Sequence, residues 1–159
     1  MSRRRTILVV EDGTEYSDAF RGLVDAGSLE LVRAADRDEA MEVLAKRAVD
    51  GVFLDVVFDR TPPEKLAGDL EAEIRRFGGD RARAERHLAE NQGFYLLNEL
   101  GRLLPEAVPV VIAYDFSAEP ERLTALRARR PRLSGVVDVT PISEVFEALT
   151  SGDTPGGLP

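Results

Sequence analysis

Three stretches of this chain share a form that few folds accommodate. Residues 6–10 (TILVV), 51–57 (GVFLDVV) and 108–114 (VPVVIAY) are short, rich in β-branched residues and nearly continuously apolar. A strand with one wet face alternates apolar with polar residues, whereas an uninterrupted run belongs to a strand covered on both faces. Segments of helical periodicity lie between these runs. Residues 15–26 carry Tyr16, Phe20, Leu23 and Val24, with Gly27 placed to end a helix; 38–46 carry Ala40, Met41, Val43 and Leu44, with Asp36 as N-cap. Residues 29–34 (LELVRA) alternate like an edge strand. Further along, the pattern predicts helices over 93–104, 120–130 and 142–150 and a strand over 135–139. Five strands alternating with helices predict an α/β domain, a doubly wound parallel sheet clothed on both faces.

The 159 residues suit one domain over 1–150, with the Gly/Pro-rich 151–159 as a flexible tail. No apolar run approaches the roughly 18 residues of a membrane span, and no cleavage site follows the short apolar start, so the expected setting is cytoplasmic. With no cysteine, disulfides, thiolate catalysis and cysteine zinc sites are excluded. A formal charge of −8 argues against nucleic-acid binding, which requires a basic surface. Arg3, Arg4 and Arg5 read as a solvated lead-in to the first strand.

Ligands of open parallel sheets sit at the carboxyl ends of the strands. There, strand one ends in Glu11-Asp12 and strand three in Asp55. With strand order 2-1-3-4-5, strands one and three are neighbours and their acids converge. Such carboxylates repel unless a cation or protons intervene, and Mg²⁺ suits hard oxygen ligands best.

The segments ILVVEDG (7–13), GVFLD (51–55) and QGFYLLNELGRLLPEAVPVVIAYD (92–115) resemble the receiver domain of bacterial response regulators. The resemblance spans the chain apart from roughly 30 residues after Phe58. It implies a flavodoxin-like sheet, Glu11, Asp12, Asp55 and the Val57 carbonyl as Mg²⁺ ligands, and Asp55 as acceptor of a phosphoryl group from a histidine kinase. Departures accompany it. Where receivers end strand four in Ser or Thr, alternative alignments place Ala113, Tyr114 or Ile112. Where they end strand five in Lys-Pro, this chain has Thr140-Pro141, and Val137 stands at the aromatic switch position. The hydroxyl, the lysine that stabilises transferred charge and the switch ring are all missing. A pseudo-receiver that binds Mg²⁺ weakly is the expectation.

Residues 59–91 form an insertion after strand three. Pro62-Pro63 can start a helix, Leu66, Leu70, Ile74 and Phe77 follow at helical spacing, and Gly78-Gly79 can end it. Residues 81–100 then read as one helix running through Gly93. The insertion carries 8 acidic and 7 basic residues, so it is no basic clamp. Its apolar stripe, Leu66, Leu70, Ile74 and Phe77, is either covered by the domain or offered to a partner. His87 reads as part of an exposed helix face. Three functions follow: a stand-alone receiver-like signalling domain acting through protein contacts; a phosphorylatable single-domain response regulator in which Lys65 or Arg60 replaces the lysine; and a Mg²⁺-dependent phosphohydrolase or nuclease. The first is preferred, because no output domain fits after residue 150 and the acid cluster lacks a partner acid or phosphate-binding lysine.

Overall fold

A computed structural model describes residues 4–24, 29–137 and 140–151. The element order is β1 (Arg5–Val10), α1 (Glu15–Arg21), β2 (Leu29–Ala34), α2 (Arg37–Lys46), β3 (Gly51–Leu54), α3 (Leu70–Arg76), α4 (Arg81–Glu90), α5 (Gln92–Leu100), β4 (Val110–Ile112), α6 (Pro120–Arg129), β5 (Leu133–Gly135) and α7 (Ile142–Ser151). The strands form one five-stranded parallel sheet in the order β2-β1-β3-β4-β5, the doubly wound arrangement predicted above.

Strand parity divides the core between the two faces. Leu8, Val10, Val52, Leu54, Val110 and Ile112 pack with Ala40 of α2, Leu96 and Leu100 of α5 and Leu123 of α6. Ile7, Val9, Phe53 and Val111 point the other way, onto Phe20 of α1 and Val145, Ala148 and Leu149 of α7. Phe53 anchors that second layer, with the Tyr16 ring centroid 4.4 Å away and that of Phe20 5.3 Å away. Its loss to alanine would remove about 3–5 kcal/mol.

Several elements are shorter than the periodicity implied. Helix α1 stops at Arg21, and the predicted cap Gly27 lies outside the described residues. Strand β5 runs Leu133–Gly135, earlier than the predicted 135–139, and ends where its ladder with Ile112 ends. Helix α5 stops at Leu100, not 104, because the chain turns at 101–108 around the buried Arg130. That guanidinium donates to the carbonyls of Gly101, Leu104, Pro105 and Val108 at 2.8–3.3 Å.

The insertion differs most. Pro62-Pro63 starts only a 3-10 turn, Pro63–Lys65; Leu66 is extended, Gly68 has φ +106°, and the helix begins at Leu70. Leu66 and Ala67 are buried in the main core with Phe58 and Leu88, and Leu70 packs against it. Ile74 and Phe77 are partly buried, Phe77 beneath the Arg76 and Arg83 guanidiniums. The apolar stripe is thus covered by this domain's own residues and is no free docking face. His87 is also half-covered, packed against Phe77 and Tyr95 inside the hairpin.

The single helix predicted over 81–100 is broken at Asn91 (φ −127°, ψ 21°). Two tertiary demands break it. Buried Gln92 donates to the carbonyls of Ala67 and Leu88 and accepts from the Ala67 N–H, each at 2.8–2.9 Å, which ties the extended segment to the helix junction. Gly93 meanwhile lies against the end of β3, where a Cβ would stand 2.8 Å from the Asp55 carbonyl oxygen.

Candidate functional site

The loops after β1 and β3 and the start of the insertion meet at the carboxyl edge of the sheet. Asp55 directly follows β3; its N–H donates to the Val10 carbonyl at 3.0 Å, and its carboxylate accepts from the Val56 N–H at 2.8 Å. Burial pushes the Asp55 carboxyl up to about 6, reinforced by the negative charges of Asp12 and Glu15 and opposed by the Val56 N–H and by Arg60. A carboxyl in that range is mostly ionised at neutral pH and is exposed enough to be reached.

Glu11 and Asp12 take different roles. Glu11 is 1% exposed. Its carboxylate accepts from the Tyr16 N–H at 3.2 Å, the Ser17 N–H at 3.0 Å and the Ser17 hydroxyl at 3.3 Å. It therefore caps α1, where the N-cap residue Thr14 makes no side-chain bond. Burial raises its pKa against those donors, and the charge of Asp55 raises it further. Asp12 accepts the Arg60 N–H at 2.8 Å, while the Arg60 guanidinium reaches Glu15 at 2.7 Å. That ion pair lies so close over Gly13 that a Cβ there would collide with both side chains. From β2, Arg33 donates to the carbonyls of Gly13 and Glu11 and holds the loop from below.

The three predicted metal acids thus share one edge, where the charge of Asp55 bears on Glu11 and that of Asp12 on Asp55. Yet among the described residues no group of three Asp, Glu, His or Cys side chains is placed to hold a metal ion. The Glu11 carboxylate bonds the start of α1, and one Asp12 oxygen accepts the Arg60 N–H. The Val57 side chain is exposed beside it.

The strand ladder decides between the alternative alignments of β4. Leu54 pairs with Ile112, and the Ala113 N–H donates to the Leu54 carbonyl at 2.9 Å, so Ala113 is the residue beside Asp55. A methyl stands there. The Tyr114 ring packs edge-on against Phe94 and Phe116, and its hydroxyl bonds Glu119. After β5, the Thr140 hydroxyl accepts the Val137 N–H at 3.2 Å; Val137 is partly buried. Of the two candidate stand-in cations, Lys65 points to Asp36 at the start of α2, 3.9 Å away, and only Arg60 reaches the acid edge.

Arg33, Ser17 and Gln92 were not singled out in the sequence. For Arg33 a signal existed: it is a charged residue near the carboxyl end of an edge strand, beside strand one.

No family model matches the chain, and no curated protein does. Among solved structures, it is similar to the receiver domain of NtrX from Brucella abortus, with 21% identity, TM-score 0.58, and 92% of this chain and 99% of that chain covered. A CheY-like receiver domain protein from Methanospirillum hungatei JF-1 aligns with 13% identity and TM-score 0.59 over 94% of this chain and 93% of that one. Against a longer NtrX chain, crystallised with ADP, identity is 19% and TM-score 0.60; the match covers 94% of this chain but only 27% of that one. No described helix is long and apolar enough to cross a membrane. The sheet order, the acid edge and these likenesses agree that the chain has the fold of response-regulator receiver domains.

Proposed function

We propose that this chain is a receiver-like signalling domain that acts through contacts with a protein partner, with its phosphorylation site degenerate. The observation that carries the reading is the Asp55 neighbourhood: Ala113 beside it offers no hydroxyl, and Arg60 and α1 already engage the acids that would hold Mg²⁺. Phosphoryl transfer depends on positioned positive charge around the transferring group. Here the cation at hand is Arg60, whose guanidinium is paired with Glu15. Mg²⁺ binding is accordingly weak, and Val137 supplies no ring to report a change at the site. The partner is a signalling protein or a histidine kinase, met in the cytoplasm. The hairpin of α3 and α4 is the addition nearest the acid edge and supplies the contact through its exposed charged face, not through Leu66 or Leu70. The domain itself catalyses nothing.

Arg60 favours a second reading, a phosphorylatable response regulator in which its guanidinium swings from Glu15 to a phosphoryl group on Asp55. Titration with Mg²⁺ and beryllofluoride, followed by amide NMR shifts at residues 11–13, 55–57 and 113, separates the two. The proposed function expects no saturable change at millimolar ligand. Saturable shifts centred on Asp55 and Ala113 would establish the second reading.

A further inference from the structure

The groove between α5 and α6 holds a pocket of about 360 Å³ that the acid edge does not use. That volume falls at the small end of ligand pockets, which run about 300–1,000 Å³. Phe94, Leu97 and Leu126 form its apolar walls, and Arg102, Arg129 and Arg130 surround them.

The charges are what single it out. Several arginines on this protein face a carboxylate: Arg37 meets Glu99, Arg47 meets Glu30, and Arg122 meets Glu119. Arg102 and Arg129 make no ion pair or hydrogen bond among the described residues. Glu99, on the same side of the domain, is already held by Arg37 and the Gly68 N–H. Nor are the two cations needed to offset the negative end of α5, because Arg130 already satisfies the carbonyls that follow it. Arg130 itself is 5% exposed, and all its bonds are to neutral carbonyls. Burial lowers its pKa, and the charge of Glu106 raises it only in part. Arg130 is a buried cation held by neutral carbonyls, and the exposed Arg102 and Arg129 line the same pocket, where an anion would meet positive charge on more than one side. On a chain of charge −8, such a concentration of unpaired positive charge is local and selective.

We infer that the α5–α6 pocket binds a small organic anion, its carboxylate or phosphate held by Arg102 and Arg129 and its apolar body lying against Phe94, Leu97 and Leu126. Guanidinium forks suit either oxyanion head. The inference stands apart from the fate of Asp55.

Hydrocinnamate, which joins one carboxylate to one phenyl ring, is the probe, with its neutral amide and inorganic phosphate as controls. The full chain is titrated with each and followed by NMR. Hydrocinnamate should saturate at millimolar concentration with shifts at Phe94, Leu97 and Leu126, at least about fivefold tighter than either control. Arg102→Ala and Arg129→Ala, both at exposed positions, should each weaken it about three- to tenfold. Leu126→Trp should abolish it by filling the pocket. The inference is overturned if hydrocinnamate does not saturate, if the amide or phosphate binds as tightly, if neither arginine variant weakens binding, or if Leu126→Trp binds unchanged.

Discussion

Replacing Asp55 with asparagine should make this protein more stable at neutral pH and leave it unchanged in acid. The carboxyl is raised from its ordinary 3.8 to about 6, chiefly by burial. A raised acid pKa means that the fold prefers the protonated form. The stability tied to that preference is fully present below about 3.8 and is lost as the pH climbs through about 6. Each pKa unit corresponds to about 1.36 kcal/mol, so the ionised side chain costs the fold up to about 3 kcal/mol above pH 6. Asparagine keeps an oxygen for the Val56 N–H and carries no charge to repel Asp12 and Glu15. At about 2–4 °C per kcal/mol for a chain of this size, the variant should melt about 6–12 °C higher than the natural protein near pH 7.5. The difference should shrink towards zero near pH 4. The assay is thermal unfolding of both proteins across that range, with a chelator present to remove adventitious cations. An equal difference at both pH values, or a natural protein more stable than Asp55→Asn at pH 7.5, would show that the buried charge of Asp55 does not burden the fold.

Other consequences follow from single contacts. Gly93→Ala gains helix propensity but drives a Cβ into the Asp55 carbonyl and the Val56 side chain, so chemical denaturation should show a net loss of about 1–3 kcal/mol. Gln92→Ala leaves the buried Ala67 N–H and carbonyl without their partner; it should cost about 1–3 kcal/mol and speed hydrogen exchange at Ala67 before that of the sheet. Glu11→Ala strips α1 of its cap and should cost about 0.5–2 kcal/mol, seen as a lower denaturation midpoint. Deleting residues 60–90 would remove core residues Leu66, Ala67 and Leu88 and should leave a destabilised protein, whereas shortening only the exposed turn at Gly78-Gly79 should not.

The sheet was legible because its evidence is local. Uninterrupted apolar runs report burial on both faces, and acids at their ends mark the edge where they surface. The strand ends were less legible, since a ladder stops where its neighbour stops; β4 and β5 are short because they share one short register. The insertion was misread wherever a distant contact overrides periodicity. Leu66, Leu70, Ile74 and Phe77 do recur at helical spacing, yet Gly68 turns the chain with positive φ and the Gln92 amide holds Ala67 extended. Likewise the residue types at the acid edge could be read, but not their orientation. That Glu11 caps α1 depends on where the Tyr16 and Ser17 N–H groups lie, and Arg60 reaches Asp12 only because the insertion leaves β3 in that direction.

The proposed function requires that Asp55, at the edge of this receiver fold, does not accept a phosphoryl group in the usual way. Incubation of the full chain with Mg²⁺ and acetyl phosphate, followed by intact mass, tests it most directly. With a methyl at Ala113 and the acids engaged by Arg60 and α1, the protein should retain its unmodified mass. Stable gain of one phosphoryl group, absent in Asp55→Ala, would show instead that Asp55 is a working phosphoacceptor.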